Sequence, residues 1–389
     1  MKKNIIEEIM MRKNIIIPVV IAVLALILVI FAIAANKDES NYEQTGEVTT
    51  TEPSGTPKDD YTLPQGVNTL TGKKDLSDSA IGGRPIAIMV ENSPAARPQW
   101  GITTPDIVLE GVVEGGITRM MWIYADAEDI PEKVGPVRSA RHDYVEIAKG
   151  MNAIFVHWGG SDAKNYTSKG KFTLAYETIA NLSVNNLDAT KAAGAYFFRD
   201  NTRNTSSEHR GCTKGEMLIN AISKFGYETK QTVENWEPFN VSQEGATNIW
   251  GDTSVTGDCK EISVTFSTGY VHTFKYDAET KKYTNYLNGK AMTDGNNNKE
   301  MAVENVIVMY TPVTTLNTGK GHQEWNMEVR GEGFYVSNGV GQKINWQKHG
   351  TTGALKFYSV NGQELMVSSG QTWIGVVPEA NRSLTTVTE

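Results

Sequence analysis

Hydrophobic and polar positions divide the chain into stretches of different texture. From Ile15 to Ala35 the residues are apolar for 21 positions without a charge, long enough to cross a bilayer as a helix, since about 20 apolar residues span the hydrocarbon core. Lys2, Lys3, Arg12 and Lys13 precede this run, and positive flanks favour the cytoplasm, which predicts a cytoplasmic tail over 1–14 and an exported remainder. Cleavage as a secretory signal is the alternative, because Ala32-Ile33-Ala34 fits a small-x-small site; the run exceeds a usual signal core, which favours an uncleaved signal-anchor. Residues 36–80 are rich in Thr, Ser, Asp, Glu, Gly and Pro and poor in large apolar side chains, so they predict a disordered linker.

A globular pattern begins near residue 82. PIAIMVEN is a short apolar run closed by Asn92-Ser93-Pro94, a strand and a turn. DIVLEGVVEGGITRMMWIYAD contains two β-rich runs around Gly115-Gly116, which predicts a two-residue hairpin. That turn would pair Glu114 with Ile117, Val112 with Arg119 and Glu110 with Met121, setting Arg119 diagonal to Glu110 and Glu114 on one face. YVEIAKGM has helical spacing, NAIFVHWGG reads as a strand ending in glycines, and Ser161 or Asp162 is placed to cap a following helix. GEMLINAISKFGY repeats Met217, Leu218, Ile222 and Phe225 on one helical face and stops at Gly226. Strands mixed with helices over 82–240 predict an α/β or α+β N-terminal domain.

From about residue 248 the pattern becomes period-two. SVTFSTGYVHTFKYDAETKKYTNYLNGKAM holds three alternating runs with turns at Ser267-Thr268-Gly269, Asp277 to Thr280 and Asn288-Gly289, and further short strands follow. A separate, mainly β C-terminal domain over 248–380 is expected, a meander or partly open barrel.

Composition changes this picture in two places. A formal net charge of -8 argues against a broad nucleic-acid surface, which needs a basic face. The two cysteines, Cys212 and Cys259, are too few for a thiolate zinc site; in an exported chain they are disulfide candidates, with unpaired thiols the other possibility.

The runs GRPIAIMVENSPAARPQWGITTPDIVLEGVVEGGITRMMWIYA, VGPVRSARHDYVEIA, IFVHWGGS and YFFRDNTR resemble the N-terminal domain of the YerB family. FKYDAETKKYTNYLNGK, ENVIVMYTPV and GQTWIGVVP are similar to its β-rich C-terminal domain, so the resemblance covers about 82–380. It implies an extracytoplasmic, membrane-attached protein, usually of Gram-positive bacteria, with no established activity, catalytic residue or cofactor. Members are often lipoproteins; here no cysteine lies near Ala35, so a lipid anchor is not expected.

Several constellations carry chemistry. Arg138 and Arg141 follow the Gly135-Pro136 turn signal and flank a predicted helix start with Ser139 near its N-cap. Amides, dipole and guanidinium forks together suit a carboxylate or phosphate; the alternative is pairing with internal carboxylates such as Asp106 or Glu110. Asp106, Glu110 and Glu114 recur every four residues, and paired carboxylates can divide acid and base roles. His157, Trp158 and Asp162 lie in a strand-to-helix loop, where open α/β sheets gather ligands. A satisfied buried imidazole competes with a base or ligand role for His157. Arg199, Asp200, Arg203, Glu208, His209 and Arg210 mark a polar loop suited to a binding edge. No metal-ligand spacing backs a His157–His209 site, and neither a metal nor another cofactor is expected.

Three functions fit these residues. The first is an exported binding protein holding an anionic or sugar-like envelope ligand, with Arg119, Arg138, Ser139, Arg141, His157, Trp158, Asp162, Arg199 and Asp200 as binding residues and Trp158 or Trp100 stacking on it. The second is a cell-wall polymer hydrolase using Glu110 or Glu114 with His157. The third is a protein-interaction module whose arginines serve only the fold.

Overall fold

A computed structural model describes residues 66–162, 173–231, 240–244, 256–327 and 330–389. The expected tail, membrane helix and most of the linker lie outside them, as does most of the stretch after Asp162. No helix among the described residues is long and apolar enough to cross a membrane.

The N-terminal half is mixed α/β. Its strands are β1 (Ile86–Glu91), β2 (Ile107–Val112), β3 (Thr118–Tyr124), β4 (Ile154–His157) and β5 (Asn186–Asp188). Its helices are α1 (His142–Gly150), α2 (Ala175–Asn181) and α3 (Gly215–Phe225). The last ends where the spacing predicts, at Gly226 with φ +64°, a left-handed cap that glycine adopts without a Cβ penalty. The C-terminal half is mainly β: β6 (Glu261–Ser267), β7 (Tyr270–Asp277), β8 (Lys282–Leu287), β9 (Asn305–Thr311), β10 (Arg330–Ser337), β11 (Val340–Lys348), β12 (Leu355–Ser359) and β13 (Thr372–Pro378).

Separate sheets for the two halves are not what forms. Among the described residues one eleven-stranded sheet runs β12-β11-β10-β9-β13-β2-β3-β1-β4-β5, with Thr256–Asp258 added beside β11. β13 lies between the halves, parallel to both β2 and β9. Its sequence, TWIGVVP, is buried at all but the final position, the uniform apolarity that a strand covered on both faces requires. Strands β6 to β8 build a second, six-stranded sheet with Lys290–Ala291, Ala302–Val303 and Thr386–Thr388. The second sheet and α3 cover one face of the large sheet, through Val264, Phe266, Phe274 and Leu218 against Val108, Met120 and Trp122. Helices α1 and α2 with Trp325 cover the other, through Tyr144, Ile147 and Ile179 against Met89, Leu109 and Met121.

Three further expectations are corrected. The linker does not extend to residue 80: Val67, Asn68, Leu70 and Thr71 are buried, and Asn68 Nδ2 donates to Asp106 at 3.1 Å. The β2–β3 turn takes three residues, Glu114–Gly116, with Val113 N donating to Ile117 O at 2.8 Å. The register therefore pairs Gly111 with Arg119 and Glu110 with Met120. A slip of one residue reverses which face a side chain takes, so Arg119 and Glu110 lie on opposite faces of the sheet. Finally, Cys212 and Cys259 are both free and buried. They sit in different neighbourhoods, Cys212 Sγ beside Arg210 O and Cys259 Sγ beside Glu261 O, and burial pushes each thiol up to about 12, which leaves them inert.

Candidate functional site

Strands β1, β2, β4, β5 and β13 run parallel, with β3 antiparallel between β1 and β2. The carboxyl ends of the parallel strands and the amino end of β3 thus share one edge of the sheet, the usual position for ligands in open α/β sheets. Glu91 ends β1, Glu114 follows β2, Arg119 stands at the start of β3 and His157 ends β4.

The segment from Gly135 to Arg141 closes this edge. Gly135 has φ +147° and a Cβ there would lie 2.6 Å from Gly211 O, so only glycine fits. Arg138 N donates to Met89 O at 2.9 Å, Trp158 N to Arg138 O at 3.0 Å and Ala140 N to Gly159 O at 2.9 Å, which stitches the segment between β1 and the loop after β4. Helix α1 starts at His142, and its N-cap is Arg141 rather than Ser139. The Ser139 hydroxyl donates instead to Trp158 O at 3.1 Å.

Two of the three arginines at this edge are held by carboxylates. Arg141 forks Glu114 through Nε and Nη2, the latter at 2.9 Å. Arg138 Nη2 lies 3.4 Å from Glu208, and its Nε 3.7 Å from Glu91. Glu91 is also met by His209, whose Nδ1 is 2.9 Å from both carboxylate oxygens. The partners of Arg138 and Arg141 are therefore Glu91, Glu208 and Glu114, not Asp106 or Glu110.

Arg119 differs. It is 4 % exposed, and its one side-chain hydrogen bond among the described residues runs from Nη1 to Ser139 O at 2.8 Å, a carbonyl that Arg141 Nη1 also approaches at 3.5 Å. Its Nε is buried without an acceptor among the described residues, as is that of Arg138, but Arg138 has the carboxylates of Glu91 and Glu208 nearby. Burial, with the like charges of Arg141 and Arg138 and against the pull of Glu114, lowers it to about 9. A buried cation lacking a hydrogen-bonded counter-ion is costly, and its Nε edge presents the fork that matches a carboxylate or phosphate.

The remaining candidates are occupied elsewhere. Glu110 is fully buried on the opposite face, where Asn92 Nδ2 (2.9 Å), Thr118 Oγ1 (2.5 Å) and His272 Nε2 (3.0 Å) meet Oε1 and Trp373 Nε1 (3.2 Å) meets Oε2. Burial pushes its carboxyl up, but His272 and these donors together hold it below the ordinary value. Asp106 accepts from Ala125 N and Asn68 Nδ2, so the acidic row does not act as a unit. His157 is a core imidazole, its Nδ1 at Gly159 O (2.7 Å) and Nε2 at Asn186 Oδ1 (3.1 Å), and burial lowers it. The tryptophans expected to stack on ligand already carry cations: Arg199 lies 4.4 Å from the Trp158 ring centroid and Arg203 3.8 Å from that of Trp100. Asp162 pairs with Lys320 at 2.9 Å. Asp200 meets Lys133 at 2.5 Å, and that bond with those from Thr202 outweighs burial and holds it at about 2.

Sequence reasoning missed His322. It is nearly buried, its Nε2 lies 3.6 Å from Glu114 Oε1, and its Nδ1 lacks a hydrogen-bond partner among the described residues. It comes from the C-terminal half, far in sequence from Glu114 and Arg141, so no local spacing could have found it.

Residues 70–228 match the family model described as protein of unknown function (DUF3048) N-terminal domain, and 262–374 match the corresponding C-terminal domain. The chain belongs to the YerB family. It is 30% identical over 315 residues to "Putative lipoprotein YerB" of Bacillus subtilis (strain 168), covering 80% of this chain and 86% of that YerB protein. Its fold is similar to the crystal structure of YerB from Bacillus subtilis, with a TM-score of 0.67 and 25% identity over 83% of this chain and 99% of the other. The two YerB family regions meet along β13, the last strand of the large sheet in sequence.

Proposed function

We propose that this YerB family chain is a membrane-attached, extracytoplasmic binding protein that holds an anionic ligand, carboxylate or phosphate, at the carboxyl edge of its large sheet. The apolar run over 15–35 supports attachment through a single N-terminal helix, and the lipoprotein description of the relative agrees with an exported location. One observation carries the ligand assignment: among the described residues Arg119 is buried with an unfilled Nε and no hydrogen-bonded carboxylate, while Arg141 forks Glu114 and Arg138, whose Nε also lacks a hydrogen bond, has Glu91 and Glu208 as ion-pair partners. The ligand's acid group takes the Nε edge of Arg119, with Arg138 and Arg141 supplying field rather than free forks.

Calorimetric titration of the folded protein with sulfate, inorganic phosphate and short dicarboxylates tests this. Binding is expected in the wild type and absent in Arg119→Gln with its thermal transition intact. Equal binding by both proteins would remove Arg119 from the site. Acid–base hydrolysis receives no support from this geometry, because Glu110 is sealed in the core and Glu114 is forked by Arg141.

A further inference from the structure

We propose that His322 is a further arm of the Arg119 anion site, and that an anion binding there brings a proton onto its imidazole. This rests on the anion site proposed above and adds to it both a residue from the C-terminal half and a dependence on pH.

The geometry begins with an incomplete imidazole. A neutral ring has one donor and one acceptor nitrogen and a protonated ring has two donors. The Nε2 of His322 faces Glu114 at 3.6 Å, whereas Nδ1 is buried without a partner among the described residues. The main chain at His322 is fixed by Leu316 N, which donates to His322 O at 2.8 Å. The charged groups around it come from four segments: Arg141 at the start of α1, Glu114 on the β2–β3 turn, Asp162 in the loop after β4, and Lys320 two residues earlier. His322 and Arg119 therefore share two neighbours, Glu114 and Arg141.

That sharing couples them. With the site open, burial and then Arg141 push the imidazole below its ordinary value, Glu114 pulling the other way, so His322 stays neutral near neutral pH. An anion seated on Arg119 cancels part of the positive field that disfavours the imidazolium, and a second donor, Nδ1–H, becomes useful at the site. Affinity and proton uptake are then reciprocal. The sign follows: His322 has the higher value in the bound state, so binding tightens as pH falls through the window between the free and bound values. Other histidines lie at this edge: His209 already faces both oxygens of Glu91 and His157 faces Gly159 O and Asn186, so neither is expected to carry this coupling.

The test uses sulfate, whose charge is constant, titrated into the folded protein by calorimetry from about pH 5.5 to about pH 8.5 in buffers of different ionisation heat. Wild-type affinity is expected to weaken by up to about tenfold per pH unit within the window, with uptake approaching one proton per anion. His322→Gln should bind sulfate with a flat profile, His209→Gln should keep the slope, and Arg119→Gln should not bind at any pH. A flat wild-type profile without proton uptake, while Arg119→Gln still abolishes binding, would overturn the role of His322 and leave the anion site standing. A slope that persists in His322→Gln, or disappears in His209→Gln instead, would overturn it too. Absence of sulfate binding in the wild type, or binding that survives Arg119→Gln, would overturn both. The buffer-dependent heats of the wild type decide the coupling even if His322→Gln fails to fold.

Discussion

At the scale of single residues, two buried charges of similar appearance have opposite consequences. Glu110 receives donors on both oxygens from Asn92, Thr118, His272 and Trp373, whereas Arg119 leaves Nε unfilled among the described residues. Glu110→Gln sets an NH2 group against N–H or O–H donors and is expected to cost about 3–5 kcal/mol by urea unfolding. Arg119→Met removes a desolvated cation, so its melting temperature should hold or rise while anion binding is lost; a fall of several degrees with binding intact would make Arg119 structural. Asp106 supplies a pH dependence. Burial raises its carboxyl from an ordinary 3.8 to about 7, so between those values the folded chain keeps a proton that the unfolded chain releases. Stability from this group is highest in acid and falls by roughly 1.4 kcal/mol per pH unit across that window. Glu110, held low, acts in the opposite sense, losing its contribution as pH falls. Unfolding measured from pH 4 to pH 8 should show Asp106→Asn without the decline seen in the wild type.

At the scale of elements, the hairpin shows where sequence patterns suffice and where they stop. The apolar run in PIAIMVEN and the β-rich runs around Gly115-Gly116 are enough to locate β1, β2 and β3, and spacing with a terminal glycine locates α3. Turn length is what the pattern does not determine: Glu114-Gly115-Gly116 serves as a three-residue turn, with φ near +70° at both glycines, and the shift carries Arg119 away from Glu110. Arg138 and Arg141 were legible as a cluster, but Glu91 and Glu208 as partners were not, because they come from a strand end and a loop that only the tertiary fold brings together. The same register places Gly111 under Trp325, where a Cβ would fall 2.2 Å from the indole. Gly111→Ala should therefore displace Trp325, which donates to Val112 O at 3.0 Å, and destabilise the protein by about 1–3 kcal/mol. Denaturation followed by tryptophan emission measures this; an unchanged midpoint would mean the indole moves aside freely.

At the scale of the whole molecule, sequence texture correctly separates a mixed half from a β half, but texture cannot say which strands pair. The apolar run in QTWIGVVP marks a buried strand, yet nothing local in it indicates that its neighbours are residues 107–111 on one side and 305–311 on the other. Fragments 66–244 and 256–389 expressed singly are expected to lack cooperative unfolding, while their co-expression restores a complex that melts as one unit; an independently folded N-terminal fragment would contradict this. The position of β13 also sets an order of events during synthesis. The strand that joins the two halves follows every other strand of the large sheet in sequence, so the central sheet cannot close until residues 372–378 have been made and are free to pair with both neighbours. Late closure of this kind leaves one edge each of residues 107–111 and 305–311 unpaired until the final strand arrives.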